Sequence, residues 1–261
     1  MHQNINSSLA AFTISYKMKK TQFIYPEDAN GGIAEYFRSE VEAMRRIGLS
    51  VETKPNNDSS RLIHRCFRMY QQEEYPTDAR YIQGWNEYMK TSRLSLYYKH
   101  IEDISIPTFF TRKLDESVAE EVKKRGWKRA FIKNDIKSLW NINEMASVWP
   151  DSSFDYITNN LTNTFHFDDI YAVRKFIDQK VFFDEDRYWV FEGVVRHRNP
   201  QSIPPVVYEA VRRLECLGSH YYVVDATPDF IVEINPGESS DRYGDNPPEL
   251  FAQWMADAFG D

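Results

Sequence analysis

The sequence predicts a mixed α/β and α+β protein that begins with a strand–helix–strand unit. Near the N-terminus, strand-like runs at residues 22–25 and 49–53 flank a segment whose apolar residues have helical spacing. In the second half, residues 187–195 and 221–234 each hold two alternating apolar runs separated by turn residues, which predicts two hairpins. Residues 204–217, between the hairpins, have the periodicity of a helix.

Composition narrows the functional classes. The 261 residues are 42% hydrophobic and 15% aromatic, enough for a large core, and chains of this length form one large or two smaller domains. The net charge of −7 argues against broad binding to nucleic acid or anionic membranes. The two cysteines fit a reducing compartment, and no apolar run approaches the roughly 20 residues of a membrane span. We therefore expect a cytoplasmic protein.

The N-terminal region begins with a segment that lacks structural pattern. We expect residues 1–17 to form a loose extension, because strand and helix patterns begin only at residue 22. Pro26 closes the first strand, and a helix follows over residues 33–47. Gly48 is a residue type that commonly ends a helix. A second strand at residues 49–53 completes a βαβ unit.

A third strand is predicted over residues 61–69, which carry three arginines and a histidine among apolar residues. Strand alternation places Ile63, Arg65 and Phe67 on one face. Because an arginine on an apolar face is rarely left unpaired, Arg65 is either a clamp for a carboxylate or phosphate or part of an internal salt bridge. The sequence leaves both alternatives open.

The middle of the chain alternates helices and strands. Residues 79–98 and 114–125 are predicted to be helices, and residues 104–108 a linker into a new unit. A short apolar strand from residue 130 ends in Lys133, and Lys137 follows in a polar loop. Two lysines at a strand exit are either a phosphate grip or ordinary surface lysines. Residues 171–177 form another apolar run with a basic centre.

The C-terminal hairpin carries the most informative pattern, Asp225 followed by Glu233-Ile234-Asn235-Pro236-Gly237. Glu233 and Asn235 share one face of the second strand, and Asp225 lies across the turn. Carboxylate and amide oxygens are the ligands that magnesium uses beside nucleotide phosphates. The alternative is a buried hairpin whose polar ends satisfy turn backbone. A last helix is predicted at residues 248–259.

The order of these features resembles the ATP-grasp superfamily, and within it the clade marked by one arginine and two lysines. The likeness covers roughly residues 60–245, and the Asp225 to Gly237 pattern is its most specific part. Residues 185–190 are similar to the E-x-R-x-x-V strand of the family, and Arg65, Lys133 and Lys137 resemble its arginine and paired lysines.

The resemblance implies a fold, a domain division and a site. An N-terminal pre-grasp domain (residues 18–107) would precede two ATP-grasp subdomains (residues 108–183 and 184–261) that enclose a nucleotide cleft. Lys133 and Lys137 would contact the phosphates of ATP. Magnesium would be bound by Asp225, Glu233 and Asn235. The adenine edge would be held by Lys175, Phe176 and Ile177. The transferred phosphoryl group or the acceptor carboxylate would face Arg187 and Arg65. The substrate would contact Ser239 and Arg242.

The activity implied is that of an ATP-dependent carboxylate–amine ligase, which forms an acylphosphate that an amine then attacks. Such chemistry needs positioning and charge neutralisation rather than a strong nucleophile. The partners would be small-molecule or peptide carboxylates and amines. A phosphotransferase on the same scaffold and a non-catalytic nucleotide-binding or interaction module are the alternatives. The sequence leaves the substrates and the oligomeric state open.

Overall fold

The computed structural model of the protein describes residues 20–69, 71–136, 147–161, 170–178, 180, 184–242 and 246–260, with the backbone alone at residues 158, 160 and 161. The described residues form three β-sheets, with helices packed on them, which confirms the predicted fold class. The expected extension at residues 1–17 lies outside the described residues. No helix in the described part of the chain is long and apolar enough to cross a bilayer.

The first sheet is the predicted βαβ unit. It comprises β1 (Thr21–Ile24), α1 (Arg38–Arg46), β2 (Val51–Glu52) and β3 (Arg61–His64), and the parallel strands have the order β2-β1-β3. Gly48 follows α1 with a φ of +88°, a conformation that glycine adopts without steric cost.

The third strand is shorter than predicted. β3 ends at His64, whereas the sequence pattern predicts a strand to residue 69. The Arg65 N–H still donates to the carbonyl oxygen of Ile24 in β1, at 2.9 Å, but the Cys66 N–H donates to that of Glu238, at 2.8 Å. The chain therefore leaves the sheet at this point to pair with a segment near the C-terminus.

The single helix predicted over residues 79–98 is wrong, because the structure has two helices there, α2 (Trp85–Ser92) and α3 (Leu94–Ile101). Arg93 between them has extended backbone. Asp135, far along the chain, binds the start of α3: its carboxylate accepts from the Ser95 N–H at 2.7 Å and the Ser95 hydroxyl at 2.6 Å. This cap satisfies backbone donors at a new helix start and so stabilises the break.

The second sheet is antiparallel and has the strand order β4-β7-β5-β6. Val118 and Val122 of its helix α4 pack in one core with Ile132 and Val173 of the sheet. The elements are β4 (Thr108–Thr111), α4 (Glu116–Lys124), β5 (Ala130–Asn134), β6 (Ser147–Val148) and β7 (Tyr171–Lys175).

The third sheet contains both predicted hairpins, which the structure confirms, in the antiparallel order β11-β10-β8-β9. In the first hairpin, Glu192 and Gly193 both have positive φ, +48° and +76°, as a two-residue hairpin turn of type I′ requires. The elements are β8 (Asp186–Phe191), β9 (Val194–Arg196), α5 (Pro205–Leu214), β10 (Tyr221–Ala226), β11 (Ile231–Pro236) and α6 (Pro248–Phe259).

Side-chain alternation on β8 and β10 gives the third sheet two buried faces. Trp189 and Tyr221 point into a core shared with the first sheet, α1 and α6, whereas Tyr188 and Tyr222 point into a core shared with α3 and α5. The first of these cores thus joins the N-terminal βαβ unit to the C-terminal helix.

Arg65 lies inside this joint core and is 1% exposed. Its Nε and Nη2 atoms donate to the two carboxylate oxygens of Glu40 in α1, at 2.9 and 3.2 Å. Its Nη1 donates to the carbonyl oxygens of Gly237 and Glu238, and its guanidinium carbon lies 5.4 Å from the Trp189 ring. Of the two roles that the sequence leaves open, the structure gives Arg65 the internal salt bridge.

We predict that Glu40→Gln lowers the free energy of unfolding by about 3–5 kcal/mol, because it leaves the buried charge of Arg65 without its counterion. Urea denaturation followed by tryptophan fluorescence measures this loss. The matched control is Glu249→Gln, which removes the carboxylate of an exposed pair with Arg46 and is expected to change stability little. Equal losses of stability in the two variants would show that the ion pair of Arg65 and Glu40 does not stabilise the core.

Candidate active site

The candidate site lies where the second and third sheets meet. Lys133, the fourth residue of β5, is 1% exposed, and its Nζ donates to the carboxylate of Glu233 in β11, 100 positions away in the sequence. Lys133 lies opposite Ala172 in β7, and Glu233 lies opposite Asp225 in β10. This ion pair therefore connects the central strands of one sheet to the edge hairpin of the other.

The three predicted metal ligands lie on one face of the hairpin, and each accepts a hydrogen bond from a cation. Arg187 donates to both carboxylate oxygens of Asp225, at 2.7 and 2.8 Å. Lys133 donates to Glu233. The Oδ1 atom of Asn235 accepts from Nη2 of Arg68 at 3.1 Å, and its Nδ2 donates to Asp225 at 3.1 Å. Every oxygen ligand is thus matched with a positive side chain.

Two of the nearby cations lack a carboxylate of their own. Arg174 in β7 is buried; its Nη2 donates to the carbonyl oxygen of Val232 at 2.8 Å, and its Nε has no partner among the described residues. Arg68 donates to neutral oxygens, those of Asn235 and Ile136. Neither arginine forms a salt bridge within the described ranges. Three cations therefore act on Glu233, and among the described residues only Lys133 pairs with it directly.

The charges of Arg68 and Arg174 contribute to the pKa shifts of both Glu233 and Lys133. Burial alone would raise the pKa of Glu233, but the charge of Lys133, followed by those of Arg68 and Arg174, outweighs burial and lowers it to about 2. Burial lowers the pKa of Lys133, and Arg174 and Arg68 lower it further against the attraction of Glu233. In both shifts the charges of Arg68 and Arg174 act in the direction expected of neighbouring positive charges.

Asp225 and Glu185 form the acidic side of the site. Burial raises the pKa of Asp225 even though Arg187 binds both of its oxygens. Glu185 immediately precedes β8, and burial together with the charges of Asp225 and Glu233 raises its pKa to about 7. The sequence pattern at residues 185–190 includes Glu185, but nothing in that pattern identifies it as a member of this acidic group.

The chemistry of the donor set fits magnesium. Asp225, Glu233 and Asn235 offer two carboxylates and an amide oxygen, which are hard ligands. Among the described residues no group of three or more His, Cys, Asp and Glu side chains is arranged to hold a metal, so the amide of Asn235 is needed to complete the set. The side chains that bind these oxygens are lysine and arginine, residue types that commonly bind phosphate in proteins.

The predicted adenine-edge residues lie at the end of β7, away from Lys133. Three residues along the strand separate Lys175 from Ala172, a distance of about 10 Å. The N–H groups of Lys175 and Phe176 are used within the protein, donating to the carbonyl oxygens of Pro107 at 2.8 Å and Arg129 at 3.0 Å. Ile177 follows them and is half-buried.

The remaining predicted residues have separate positions. The Ser239 hydroxyl lies 3.3 Å from that of Tyr88. Arg242 binds Asn246 and the Ser39 hydroxyl, and its Nε lies 3.6 Å from Glu40. Arg65 is enclosed in the core, and Lys137 lies outside the described residues.

Arg68 and Arg174 are the site residues that the sequence analysis misses. The sequence pattern predicts a strand to residue 69, which places Phe67 rather than Arg68 on the buried face. In the structure Phe67 is 54% exposed. Three arginines within eight residues were the available signal. Arg174 is the basic centre of the run at residues 171–177, but its approach to Val232 depends on a tertiary contact that periodicity does not show.

No protein-family model and no curated protein matches the sequence. Solved structures do match. ATP-grasp ligase PsnB complexed with minimal precursor has a TM-score of 0.55 at 10% identity, over 92% of this chain and 99% of that chain. Macrocyclase MdnC from Microcystis aeruginosa MRC, bound with precursor peptide MdnA, has a TM-score of 0.56 at 12% identity, over 91% and 99%.

D-alanine–D-alanine ligase from Bacillus anthracis has a TM-score of 0.55 at 13% identity, over 92% of this chain and 97% of that chain. Further matching structures hold magnesium and ADP in PsnB and ATP in the D-alanine ligase. These similarities extend over nearly the whole of each protein. Because the sequence identity is only 10–13%, they are evidence of a shared fold alone. The chain therefore has the ATP-grasp fold.

Proposed function

We propose that the protein is an ATP-dependent carboxylate–amine ligase that acts through an acylphosphate. The observation that supports this most strongly is the cluster of the buried Lys133 and Arg174 and the half-buried Arg68 around the carboxylate of Glu233, because Arg68 and Arg174 have no carboxylate in direct contact among the described residues and could bind a triphosphate. The structural neighbours include an ATP-grasp ligase and a D-alanine–D-alanine ligase by name, which supports the same class of activity.

Nucleotide binding would exchange partners within the site. Lys133 would turn from Glu233 to the phosphates, with Lys137 following from the next loop. With Arg187 and Arg68 also turned toward the anionic substrates, Asp225, Glu233 and Asn235 would be free to hold magnesium, which neutralises charge on the phosphate oxygens when bound. The backbone of residues 175–177 would hold the adenine edge. Because Lys175 and Phe176 use their N–H groups internally, this contact would involve Ile177 and the carbonyl groups.

The reaction would proceed in two steps. A carboxylate oxygen of the acceptor attacks the γ-phosphorus of ATP, and the bond to the β–γ bridging oxygen breaks, which gives an acylphosphate and ADP. The amine nitrogen then attacks the acyl carbon, phosphate leaves, and the amine loses a proton. Arg187 would stabilise the transferred phosphoryl group or orient the acceptor carboxylate. Arg68 would have the role that the family resemblance implies for Arg65, because the Arg65 guanidinium is bound to Glu40 inside the core.

A screen of amino acids and peptides for ATP-dependent ADP formation, with products identified by mass spectrometry, tests the reaction class. We expect ADP release that requires both a carboxylate and an amine, and a product whose mass is their sum less one water. ADP release with a carboxylate alone, accompanied by a stable phosphorylated product, would indicate a phosphotransferase. No turnover with any pair would favour a non-catalytic nucleotide-binding module.

Glu233→Gln and Lys133→Ala are each expected to reduce turnover at least ~100-fold, the scale for loss of one essential electrostatic contact in a buried site. Steady-state ADP release measures the effect. Glu209→Gln is the control, because Glu209 pairs with Arg212 on the exposed side of α5. If both site variants retain wild-type turnover, the residues are assigned wrongly.

The lowered pKa of Glu233 predicts a pH dependence of stability in the metal-free protein. Because the folded-state pKa of about 2 lies below the ordinary 4.5, the ion pair stabilises the protein above pH 4.5 and loses this effect as pH falls toward 2. The stability difference between wild type and Glu233→Gln is expected to shrink by about 2 kcal/mol from pH 6 to pH 3. A difference that is constant over this range in urea denaturation would contradict a charged Glu233.

A further inference from the structure

A cavity of about 390 Å³ lies at the carboxyl end of the first sheet. It is lined where the three parallel strands end, by Ile24 at the end of β1, Thr53 after β2 and His64 at the end of β3. This edge of an open parallel sheet is where α/β proteins bind ligands, and the volume falls in the range of small-molecule pockets.

The wall of the cavity is mainly apolar. Its rings and aliphatic groups come from Tyr25, Pro26, Pro55, Phe67, Met69 and Tyr81. Among the polar lining groups, the Tyr25 hydroxyl donates to Glu40, the carboxylate of Glu27 pairs with Lys54 at 3.0 Å, and that of Glu74 accepts from the Gln71 N–H at 3.3 Å. Nδ1 of His64 has no partner among the described residues. Burial raises the pKa of the Cys66 thiol, so this wall residue stays uncharged.

Arg68 connects the cavity to the active site. It lines the cavity, and its Nη1 and Nη2 donate to the Ile136 carbonyl and to Asn235, at 2.6 and 3.1 Å. Within the described residues both acceptors are neutral, so the half-buried guanidinium lacks an anionic partner in direct contact. Such a charge is costly to bury unless an anion binds it. Among the described lining residues Arg68 is the only arginine or lysine, and it contacts Asn235, one of the predicted metal ligands.

We propose that this cavity binds the acceptor acid, and that the acceptor is a carboxylate with an aromatic body. The inference rests on the proposed ligase function and names the substrate class for it. The ring of the acceptor would lie between Phe67 and Tyr81, where aromatic pairs gain more than buried area alone provides. Its carboxylate would bind Arg68, next to Asn235. A second carboxylate on the acceptor would be buried against apolar rings, which disfavours diacids.

Hydroxylamine traps acylphosphates as hydroxamates, so the test needs no knowledge of the natural amine. Hydroxamate and ADP formation are measured with 3-phenylpropanoate, propanoate and butanedioate, each with ATP, magnesium and hydroxylamine. We expect kcat/KM for 3-phenylpropanoate to exceed that for each of the other two at least ~100-fold, as a pocket built for a large apolar group provides. Propanoate or butanedioate used as well as 3-phenylpropanoate would overturn the aromatic assignment while the ligase function stands.

Two variants locate the effect. Phe67→Ser is expected to raise KM for 3-phenylpropanoate about 10-fold and leave KM for ATP unchanged, because Phe67 is an exposed wall residue of the cavity. Tyr208→Ser, at a similarly exposed ring on α5, is the matched control and should change neither constant. Equal KM values for the acid in wild type and Phe67→Ser would reject the cavity as its site. Absence of hydroxamate with all three acids in the wild type would overturn this inference, and the proposed function is then decided by the screen of amino acids and peptides for ADP formation.

Discussion

The ion pair between Lys133 and Glu233 is the interaction on which the site depends. A lysine that is 1% exposed cannot stay charged in a protein interior without a counterion, and the only carboxylate in direct contact with it among the described residues is Glu233. The same carboxylate also lies in the field of Arg68 and Arg174. Lys133, Arg68 and Arg174 therefore all act on this one carboxylate, and the neighbouring carboxylate of Asp225 is bound by Arg187. A site of this kind is poised for a polyanion, since each phosphate oxygen that enters relieves repulsion among the cations.

The rest of the fold holds the two members of this pair in place. Tyr97 of α3 is buried, and its hydroxyl oxygen accepts from the Ile234 N–H at 3.1 Å, directly between Glu233 and Asn235. Asp135, two residues after Lys133, caps the N-terminus of the same helix. Helix α3 thus positions both sides of the site. Arg65 fixes the turn after β11 from the opposite direction, through the carbonyl groups of Gly237 and Glu238.

Sequence reasoning reached the parts of the site that local geometry dictates. Alternation along a strand correctly places Asp225, Glu233 and Asn235 on one face, and a short apolar run correctly ends near Lys133. It failed where tertiary contacts decide. The helix break at Arg93 depends on Asp135, and the early end of β3 depends on a hydrogen bond from Cys66 to Glu238. Because the sequence predicts a longer β3, it indicates Arg65 rather than Arg68 as the site residue. The domain boundaries at residues 107 and 183 and the ligand roles stay predictions.

A crystal structure with magnesium and a non-hydrolysable ATP analogue tests the central claim most directly. We expect the terminal phosphate oxygens within hydrogen-bonding distance of Lys133 Nζ, the contact between Lys133 and Glu233 broken, and the metal bound by Asp225, Glu233 and Asn235. A nucleotide that binds elsewhere while Lys133 still donates to Glu233 would contradict the assignment of this charged cluster as the phosphate site.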